Sequence, residues 1–301
     1  MRPLPEIRGN SQTRRRPTLD LSISSNLYLT DEQGEWFEAV LNDPEYKDTV
    51  ETALDGGEDA LLPLLDRVKL SGSHRRVTIV DCGPASIGES IRKLQKLMRS
   101  IFVAQYIVID MNAHLLSKIK DGVASTLGVP TRFLQSRFED VTHDLLADAA
   151  ADEILLLFGS TEMNYEPDEL ANVLQRFCPP RTLLALEGLL RTGEGSVVGY
   201  QSDAVKRFAF GPLWLLGATE EQFEFNPVFL DDRIVLEYVA KGPVEFISNS
   251  YPSLVDGDTV WTAFSRRPTA KEHRQSLAQI GQPIGFKSSD PRILTSLSRL
   301  L

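Results

Sequence analysis

Acidic and glycine residues follow two successive apolar runs of this sequence. Asp81 closes one run and leads into Cys82-Gly83-Pro84, and Asp110 closes the next run. A glycine turn lets backbone N–H groups approach a bound cofactor, and a carboxylate after a second strand is placed to accept hydrogen bonds from ribose hydroxyls. Together the two features indicate an adenosyl cofactor, although aspartate and glycine also end buried strands for purely turn-forming reasons.

A third polar segment follows a wholly apolar run and ends at Pro167. It contains Gly159, Ser160 and Asn164, and it is the best local candidate for contact with a substrate. The Asn164 side chain can both donate and accept hydrogen bonds, which suits an amine or a carboxylate. The alternative is that Asn164 caps the helix that is predicted to begin near Pro167, and its position in the sequence leaves both interpretations open.

The apolar runs that precede these residues predict strands that alternate with amphipathic helices. Strands are predicted at residues 75–81, 106–110, 131–135, 152–159 and 182–188, and helices at residues 90–100 and 112–127. Such alternation is typical of parallel βαβ units with both faces of the sheet covered. In a doubly wound sheet of this kind ligands bind beyond the carboxyl ends of the strands, so the residues that follow each strand are the candidates for a site.

The alternation stops after Gly188, which predicts an α/β fold with a second, smaller α+β substrate lobe. The later elements are predicted as a helix at 200–216, strands at 233–240, 244–248 and 259–265, a helix at 269–280, and strands at 283–287 and 292–297. The predicted domains are a substrate-binding lobe at 1–50 and 189–262, and a Rossmann-like domain at 51–188 and 263–301. Aromatic residues of the lobe line a wide apolar pocket or form its core: Phe208, Phe210, Trp214, Phe223 and Phe225.

The composition argues against several other kinds of site. The chain has 301 residues and a formal net charge of 32 − 42 = −10, which argues against nucleic acid or an anionic membrane as a partner. Its two cysteines and four histidines lack metal-ligand spacing, so we expect no metal. We find neither an apolar signal core nor a run of about twenty apolar residues, and therefore expect a cytoplasmic protein. The basic run from Arg2 to Arg16 predicts a solvated arm, and a nuclear or organellar targeting signal is the alternative.

Two segments complete a resemblance to a known family. Residues 37–46 are FEAVLNDPEY, similar to Phe-x-x-Ile-x-x-x-Pro-Glu-Tyr, and residues 158–164 are FGSTEMN, similar to Leu-Gly-Ser-Thr-x-x-Asn. With these segments the chain resembles the histidine-specific N-methyltransferases, which use S-adenosylmethionine and are typified by the first step of ergothioneine biosynthesis. The resemblance extends from about Asn26 to the C-terminus. It implies a Rossmann-like methyltransferase with S-adenosylmethionine as cofactor and a small-molecule amine or amino acid as substrate.

The resemblance also implies roles for particular residues. Asn164 and Tyr200 match the residues that hold the amine and the carboxylate of the amino acid, and Tyr46 belongs to the same predicted substrate site. Ser265 matches a serine at the side-chain end of the substrate pocket. Tyr28 matches a tyrosine near the methyl-transfer centre, so Tyr28 and Asn164 are the predicted catalytic residues. The predicted cofactor-binding residues are Asp81, Gly83, Ser86, Asp110, Phe138, Gly159 and Ser160.

The sequence departs from the family pattern at several of these positions. The loop after the first strand lacks the Gly-Ser-Gly pattern and has Glu89 where a lysine is usual. Arg137 replaces the acid that meets the adenine amine, although the neighbouring Glu139 or Asp140 could accept that hydrogen bond if the loop shifts. Lys47 replaces a tyrosine, and Ala263 stands where a glutamate reads histidine. An imidazole N–H left without a partner costs about 1–3 kcal/mol, so we do not expect histidine to be the substrate.

Two functions remain open at this point. One is an active N-methyltransferase that acts on the amine of an amino acid or of an amino-acid-derived secondary metabolite. The other is a methyltransferase-like protein that has lost or changed the activity, as a supporting subunit or with different chemistry in the cofactor pocket. We expect a monomer or a homodimer, and the second hypothesis adds pairing with a homologue. Binding of S-adenosylmethionine discriminates between the two functions.

Overall fold

The chain divides into two compact units. The computed structural model describes residues 3–8, 15–51, 57–84, 87–126, 128–147, 151–180, 182–191 and 197–300. The smaller unit comprises Met1–Thr52 and Arg191–Arg267, and the larger unit comprises Ala53–Leu190 and Pro268–Leu301. The sequence pattern predicted boundaries after residues 50, 188 and 262. The third boundary differs most, for a structural reason given below.

Both units contain strands and helices, and in the larger unit they alternate as its apolar periodicity predicts. In chain order the strands are β1 (Leu19–Asp20), β2 (Arg76–Cys82), β3 (Phe102–Asp110), β4 (Thr131–Gln135), β5 (Glu153–Gly159), β6 (Leu183–Leu189), β7 (Phe223–Leu230), β8 (Arg233–Ala240), β9 (Thr259–Arg266), β10 (Gly281–Lys287) and β11 (Ile293–Leu300). The helices are Asp31–Asn42, Pro44–Tyr46, Gly57–Arg67, Ile87–Met98, Ala113–Thr126, Asp144–Ala147, Pro167–Phe177, Asp203–Ala209, Gly211–Leu215 and Ala270–Ile280. Short 3₁₀ turns at Phe138–Asp140 and Ser160–Asn164 follow β4 and β5.

A seven-stranded sheet with the order β10-β11-β6-β5-β2-β3-β4 forms the centre of the larger unit. Strands β2 to β6 are parallel, and β11 pairs antiparallel with β6 and β10. The chain runs outward from β2 to β4 and then returns to β5 on the other side of β2. This reversal is a topological switch point, where the carboxyl ends of β2 and β5 border the crevice in which such sheets bind ligands. The predicted doubly wound, Rossmann-like sheet is confirmed.

Alternate residues of the parallel strands pack into two apolar cores, one on each face of the sheet. Val77 and Ile79 of β2 belong to one cluster. Val80 and Cys82 belong to the other cluster, together with residues of the helix Pro167–Phe177. Strands covered on both faces are apolar at nearly every position, and for this reason the continuous apolar runs of β2 and β5 identify them in the sequence.

The smaller unit contains a four-stranded sheet with the order β1-β9-β8-β7. Strand β1 is parallel to β9, and the other neighbours are antiparallel. The buried rings of Phe210, Phe223 and Tyr238 pack against one another with centroids 5.4 to 6.3 Å apart. Trp214 packs edge-on against Trp36 at 5.2 Å. These aromatic residues therefore form the core of the unit, which is the simpler of the two interpretations of the aromatic sequence.

Strand β9 lies wholly in the smaller sheet, whereas the predicted domain boundary after residue 262 divides it. It pairs with β8 on one side and with β1 on the other. Its last residues are therefore inseparable from the smaller sheet, and the unit boundary falls after Arg267 and not after residue 262. The pattern gave no sign of this because β9 is as apolar as the strands of the larger unit.

Proline explains two further differences between the predicted and the observed elements. The helix predicted at 200–216 is two helices, and Pro212 lies in the first turn of the second one, where its missing N–H is tolerated. Strand β7 was not predicted because Pro227 interrupts its pattern, and proline is confined to edge strands such as this one. The strand predicted at 244–248 is only a single bridge between Val244 and Leu254.

In the arm that was predicted to be solvated, Arg15 is exposed and also makes a specific contact, whereas Arg2 and Arg14 lie outside the described residues. The Arg15 guanidinium lies 3.2 Å from the carboxylate of Glu237, which is fully buried in β8. The same carboxylate accepts hydrogen bonds from Trp261 Nε1 at 2.9 Å and from Asn226 Nδ2 at 3.0 Å. The arm therefore supplies the charge that balances a buried acid of the smaller sheet.

Candidate active site

Gly83 forms the turn that follows β2. Its φ of 64° lies in the left-handed region, which favours glycine, and its N–H donates to the Ile109 carbonyl at 2.9 Å. A Cβ placed on Gly83 would lie 3.2 Å from Thr161 Oγ1 and 3.3 Å from the Phe138 ring. The turns after β2, β4 and β5 therefore meet at this glycine and include the predicted Gly83 and Phe138. The predicted Ser86 lies outside the described residues.

Asp110 ends β3 with a buried carboxylate. Its Oδ1 accepts a hydrogen bond from the Asn112 N–H at 2.8 Å. Burial raises the pKa of Asp110 to about 6, although backbone hydrogen bonds oppose the rise and nearby Asp81 adds to it. At neutral pH Asp110 is therefore an ionised acceptor at the carboxyl edge of the sheet, as the sequence predicts for a ribose ligand.

Asp81 is buried near the end of β2 and has a partner within the sheet. Tyr106 of β3 donates its hydroxyl proton to Asp81 Oδ2 at 2.6 Å. Burial, followed by the Asp81 charge, raises the pKa of the Tyr106 hydroxyl and of the neighbouring Cys82 thiol. The Cys82 thiol therefore stays protonated at neutral pH, which fits a small apolar residue and not a nucleophile.

Gly159 and Ser160 begin the turn that follows β5. Gly159 has a φ of 52°, and the Glu187 carboxylate lies 3.8 Å from the position of a Cβ on this glycine. Glu187 belongs to β6 and forms a buried ion pair with Lys93 of the helix Ile87–Met98, with Nζ and Oε2 3.2 Å apart. This pair fixes the helix after the Gly83 turn to the strand beside Gly159, and sequence reasoning did not identify it.

Asn164 ends the 3₁₀ turn that carries Gly-Ser-Thr. Its side chain makes no hydrogen bond to any residue in the described ranges, and it does not cap the following helix. The cap of the helix Pro167–Phe177 is Glu166, whose N–H donates to Glu169 Oε2 at 3.1 Å. The partly exposed Asn164 amide is therefore available to a ligand.

Arg137 and Glu139 occupy the turn after β4, where the family pattern has an acid for the adenine amine. Arg137 Nε lies 3.7 Å from Glu139 Oε2, and Tyr165 donates its hydroxyl proton to Glu139 Oε1 at 2.9 Å. The nearest acid to the expected position therefore already has a hydrogen-bond partner and a nearby cation.

The smaller unit brings together three of the predicted substrate residues around one arginine. The Arg267 guanidinium donates to the Tyr200 hydroxyl, to Ser265 Oγ at 2.7 Å and to the Arg266 carbonyl at 2.7 Å. Its carbon also lies 5.5 Å from the centre of the Tyr200 ring. Tyr46 packs edge-on against Tyr200 with centroids 5.9 Å apart. Sequence reasoning missed Arg267, and the only signal for it was its place directly after an apolar strand.

Tyr28 lies in an aromatic cluster of the smaller unit. Its ring packs against Phe37 and Phe208, with centroids 5.4 Å away in both cases. The ring is partly buried, and these contacts fix its position within the unit. Its predicted role in methyl transfer stays a prediction.

The described residues contain no candidate metal site. Among them no group of three or more histidine, cysteine, aspartate or glutamate side chains is arranged to hold a metal ion. Over the same ranges, no helix is both long enough and apolar enough to cross a membrane.

A doubly wound sheet with a glycine turn and an acid after successive strands is typical of proteins that bind an adenosyl cofactor, and the family match shows that this one is a methyltransferase that depends on S-adenosylmethionine. Within that class the chain belongs to the histidine-specific, S-adenosylmethionine-dependent methyltransferase family, whose model matches residues 14–189. No curated protein sequence matches the chain at a significant level.

Two solved structures are similar to this chain over most of its length. A protein from Pyrococcus horikoshii, PH0226, has 11% identity and a TM-score of 0.41, with 81% of this chain and 91% of that chain covered. An S-adenosylmethionine-dependent methyltransferase from Leishmania major has 12% identity and a TM-score of 0.41, with 92% and 88% covered. At these values neither structure bears on the residues of the site.

Proposed function

We propose that this protein transfers the methyl group of S-adenosylmethionine, in the cytoplasm, to the amine of an amino acid or an amino-acid-derived secondary metabolite other than histidine. The observation that carries the proposal is Ala263. Its side chain is buried in β9, opposite Leu236, where the family pattern has the glutamate that reads histidine. A methyl group cannot accept a hydrogen bond from an imidazole N–H, and the unpaired N–H costs about 1–3 kcal/mol.

The residues at the carboxyl edge of the main sheet fit an adenosyl cofactor. A side chain at Gly83 would crowd Thr161 and Phe138, so the turn keeps its backbone open to a ligand. The ionised Asp110 would accept hydrogen bonds from ribose hydroxyls, and Gly159 and Ser160 would line the same edge. When bound, S-adenosylmethionine supplies a methyl group that its sulfonium already activates, so the protein contributes mainly position and orientation.

The acceptor amine must be neutral and held in line with that methyl group. Asn164 supports this role because its side-chain amide has no partner among the described residues and can accept a hydrogen bond from the amine. Tyr200 would hold the carboxylate, and Ser265, which accepts from the same Arg267 guanidinium as Tyr200, would lie beside that carboxylate. The Tyr28 hydroxyl would help by accepting a hydrogen bond from the proton that the amine loses, and that proton would pass to water.

A methyltransferase-like protein without this activity is the second candidate, and Arg137 is the observation that favours it. Arginine cannot accept a hydrogen bond from the adenine amine, and Glu139 is engaged by Tyr165. A cofactor held without this contact would bind more weakly than in the family pattern.

Calorimetric titration of the full-length protein with S-adenosylmethionine tests both candidates. We expect saturable binding, and transfer of a labelled methyl group to amino acids other than histidine. Absence of binding at millimolar cofactor would contradict the methyltransferase proposal. Binding of the cofactor without transfer to any acceptor in a broad amine panel would favour the second candidate.

A further inference from the structure

Arg267 is a buried cation whose counter-charge is missing from the described part of the chain. Arg267 is only 8% exposed to solvent, and its guanidinium is charged at every relevant pH. Burying a charge is unfavourable unless an opposite charge and hydrogen bonds compensate for it. Within the described ranges no carboxylate lies at ion-pair distance from Arg267.

The other buried cations of the described residues all have an acid beside them. Lys93 pairs with Glu187 at 3.2 Å. Arg233 and Arg266 share Asp232, at 3.1 and 3.2 Å. Arg266 and Arg267 are neighbours in sequence and equally buried, so the difference between them is not a matter of depth. Arg267 differs in having only neutral oxygen atoms as partners.

The directions of the hydrogen bonds show what kind of ligand the cluster suits. A guanidinium can only donate, so Tyr200 and Ser265 each accept from Arg267 and keep their own hydroxyl protons for another acceptor. Arg267 itself uses three of its five N–H groups in the observed bonds. The unused hydrogen atoms of the cluster are therefore all donors, and they surround a positive charge. Such a set is complementary to a carboxylate.

The substitution at residue 263 changes the electrostatics of the site in the same direction. The family pattern has a glutamate there, and this chain has the neutral Ala263, two residues before Ser265 on the same face of β9. A glutamate at that point would also have offered Arg267 a negative charge nearby. Without it, the charge of this cluster is positive, and a cationic or N–H-bearing group is disfavoured.

We infer that Arg267, with the hydroxyls of Tyr200 and Ser265, binds a carboxylate of the acceptor and restricts the substrates to amines that carry a free carboxylate. The inference rests on the proposed function, because it specifies the substrate class of the same site. Amines that lack a carboxylate, or carry it as an ester or amide, bind poorly. Arg267 is a specificity-determining residue and has no part in the transfer of the methyl group.

Two matched pairs of probes test this on the full-length protein by NMR titration, without cofactor or turnover. L-phenylalanine against its methyl ester examines a main-chain carboxylate, and L-glutamate against L-glutamine examines a side-chain carboxylate. In at least one pair we expect the free acid to bind about tenfold or more tightly, as for hydrogen bonds to a charged group. Equal binding within both pairs, or no binding of any probe, would overturn the inference.

Substitutions separate recognition from a structural role. Arg267→Gln should remove the preference for the free acid while keeping or raising the thermal midpoint, because it deletes a buried charge without a counter-charge. Arg267→Lys should keep a reduced preference, since it retains the charge and loses the planar fork. Arg266→Gln is the matched control, which should lower the thermal midpoint and leave the preference intact.

A structural role for Arg267 predicts the reverse pattern. Arg267→Gln would then lower the thermal midpoint as much as Arg266→Gln does, and the acid preference would survive in the folded fraction. On active enzyme, Arg267→Gln should raise KM for the acceptor with little change in kcat. Because the probe titrations need no S-adenosylmethionine, their failure is distinguishable from a failure of the proposed methyl transfer.

Discussion

Two buried acids of the larger unit and the Arg267 cluster of the smaller unit handle buried charge in opposite ways. In the larger unit Asp81 and Glu187 have partners within the fold, since Tyr106 donates to Asp81 and Lys93 pairs with Glu187. In the smaller unit Arg267 has neutral partners only, among the described residues. The first arrangement is self-sufficient, whereas the second is completed by a ligand.

This difference teaches how to separate structural from ligand-binding polar groups in one molecule. A buried charge that is fully paired within the fold stabilises a fixed geometry, and removing one partner leaves the other as an uncompensated buried charge. A buried charge that neutral groups merely orient lowers the stability of the free protein and raises its affinity for an opposite charge. The predictions below test the comparison from the largest expected effect to the smallest.

Removal of Lys93 should have the largest effect. Lys93→Ala leaves Glu187 buried without its cation, so we expect a loss of about 3–5 kcal/mol in the free energy of unfolding. Equilibrium urea denaturation measures this change. The control is Lys96→Ala on the same helix, because Lys96 pairs with Asp59 at 3.0 Å in a largely exposed position and should cost about 0–1 kcal/mol. Similar losses in both variants would show that the buried Lys93 pair contributes no more to the free energy of unfolding than the exposed Lys96 pair.

Asp110 should control cofactor affinity and its dependence on pH. Since burial raises its pKa to about 6, the carboxylate becomes protonated below pH 6. Affinity for S-adenosylmethionine should then fall by up to about tenfold for each further pH unit. Asp110→Asn should weaken binding at pH 7 and flatten this profile, as measured by calorimetry between pH 5 and 8. An unchanged profile in the variant would assign the titration to another group.

The same pKa shift predicts the stability of the free protein. A raised pKa means that the folded state holds the proton more tightly, so stability falls as pH rises from about 4 to about 6. Asp110→Asn should therefore raise the thermal midpoint at pH 7, and the gain should disappear below pH 4. A gain that is constant with pH would contradict this account of Asp110.

Asn164 should give the smallest effect and the cleanest division between the two ligands. Asn164→Ala removes one neutral hydrogen-bonding group, so acceptor KM should rise about three- to tenfold, and affinity for S-adenosylmethionine should stay within experimental error. Steady-state kinetics and calorimetry measure the two quantities separately. Equal losses in both would mean that Asn164 shapes the turn after β5 and does not contact the acceptor.

The sequence predicted the larger unit more fully than the smaller one, and the reason is physical. Strands β2, β3, β5 and β6 are largely buried, so each contains an apolar run, and the edge strand β4 is only partly buried. The residues after each strand are marked by position alone. Gly83, Phe138 and Asp110 were identifiable in this way. The contact of Gly83 with Phe138 and Thr161, in contrast, depends on the order of strands in the sheet.

The smaller unit depends on pairings that no local pattern records. Strand β9 has the same apolar character whether it pairs with β8 or with β11, so its sheet was not predictable. Arg267 has no motif, and its significance appears only when the partners of the neighbouring Arg266 are known. The role of Arg267 could therefore not be predicted until the partners of the buried charges were compared.

The parallel pairing of β1 with β9 has a consequence for the synthesis of the chain. Leu19 and Asp20 lie opposite Val260 and Trp261, so the first strand leaves the ribosome long before its neighbour exists. Strands β2 to β6 of the larger unit are all made in between. Leu19 and Leu21, both buried in the finished protein, remain exposed throughout that interval, and an open strand edge of this kind is prone to pair with other chains. Strand β1 is thus made before β2 to β6 and can pair only after β9 has been made.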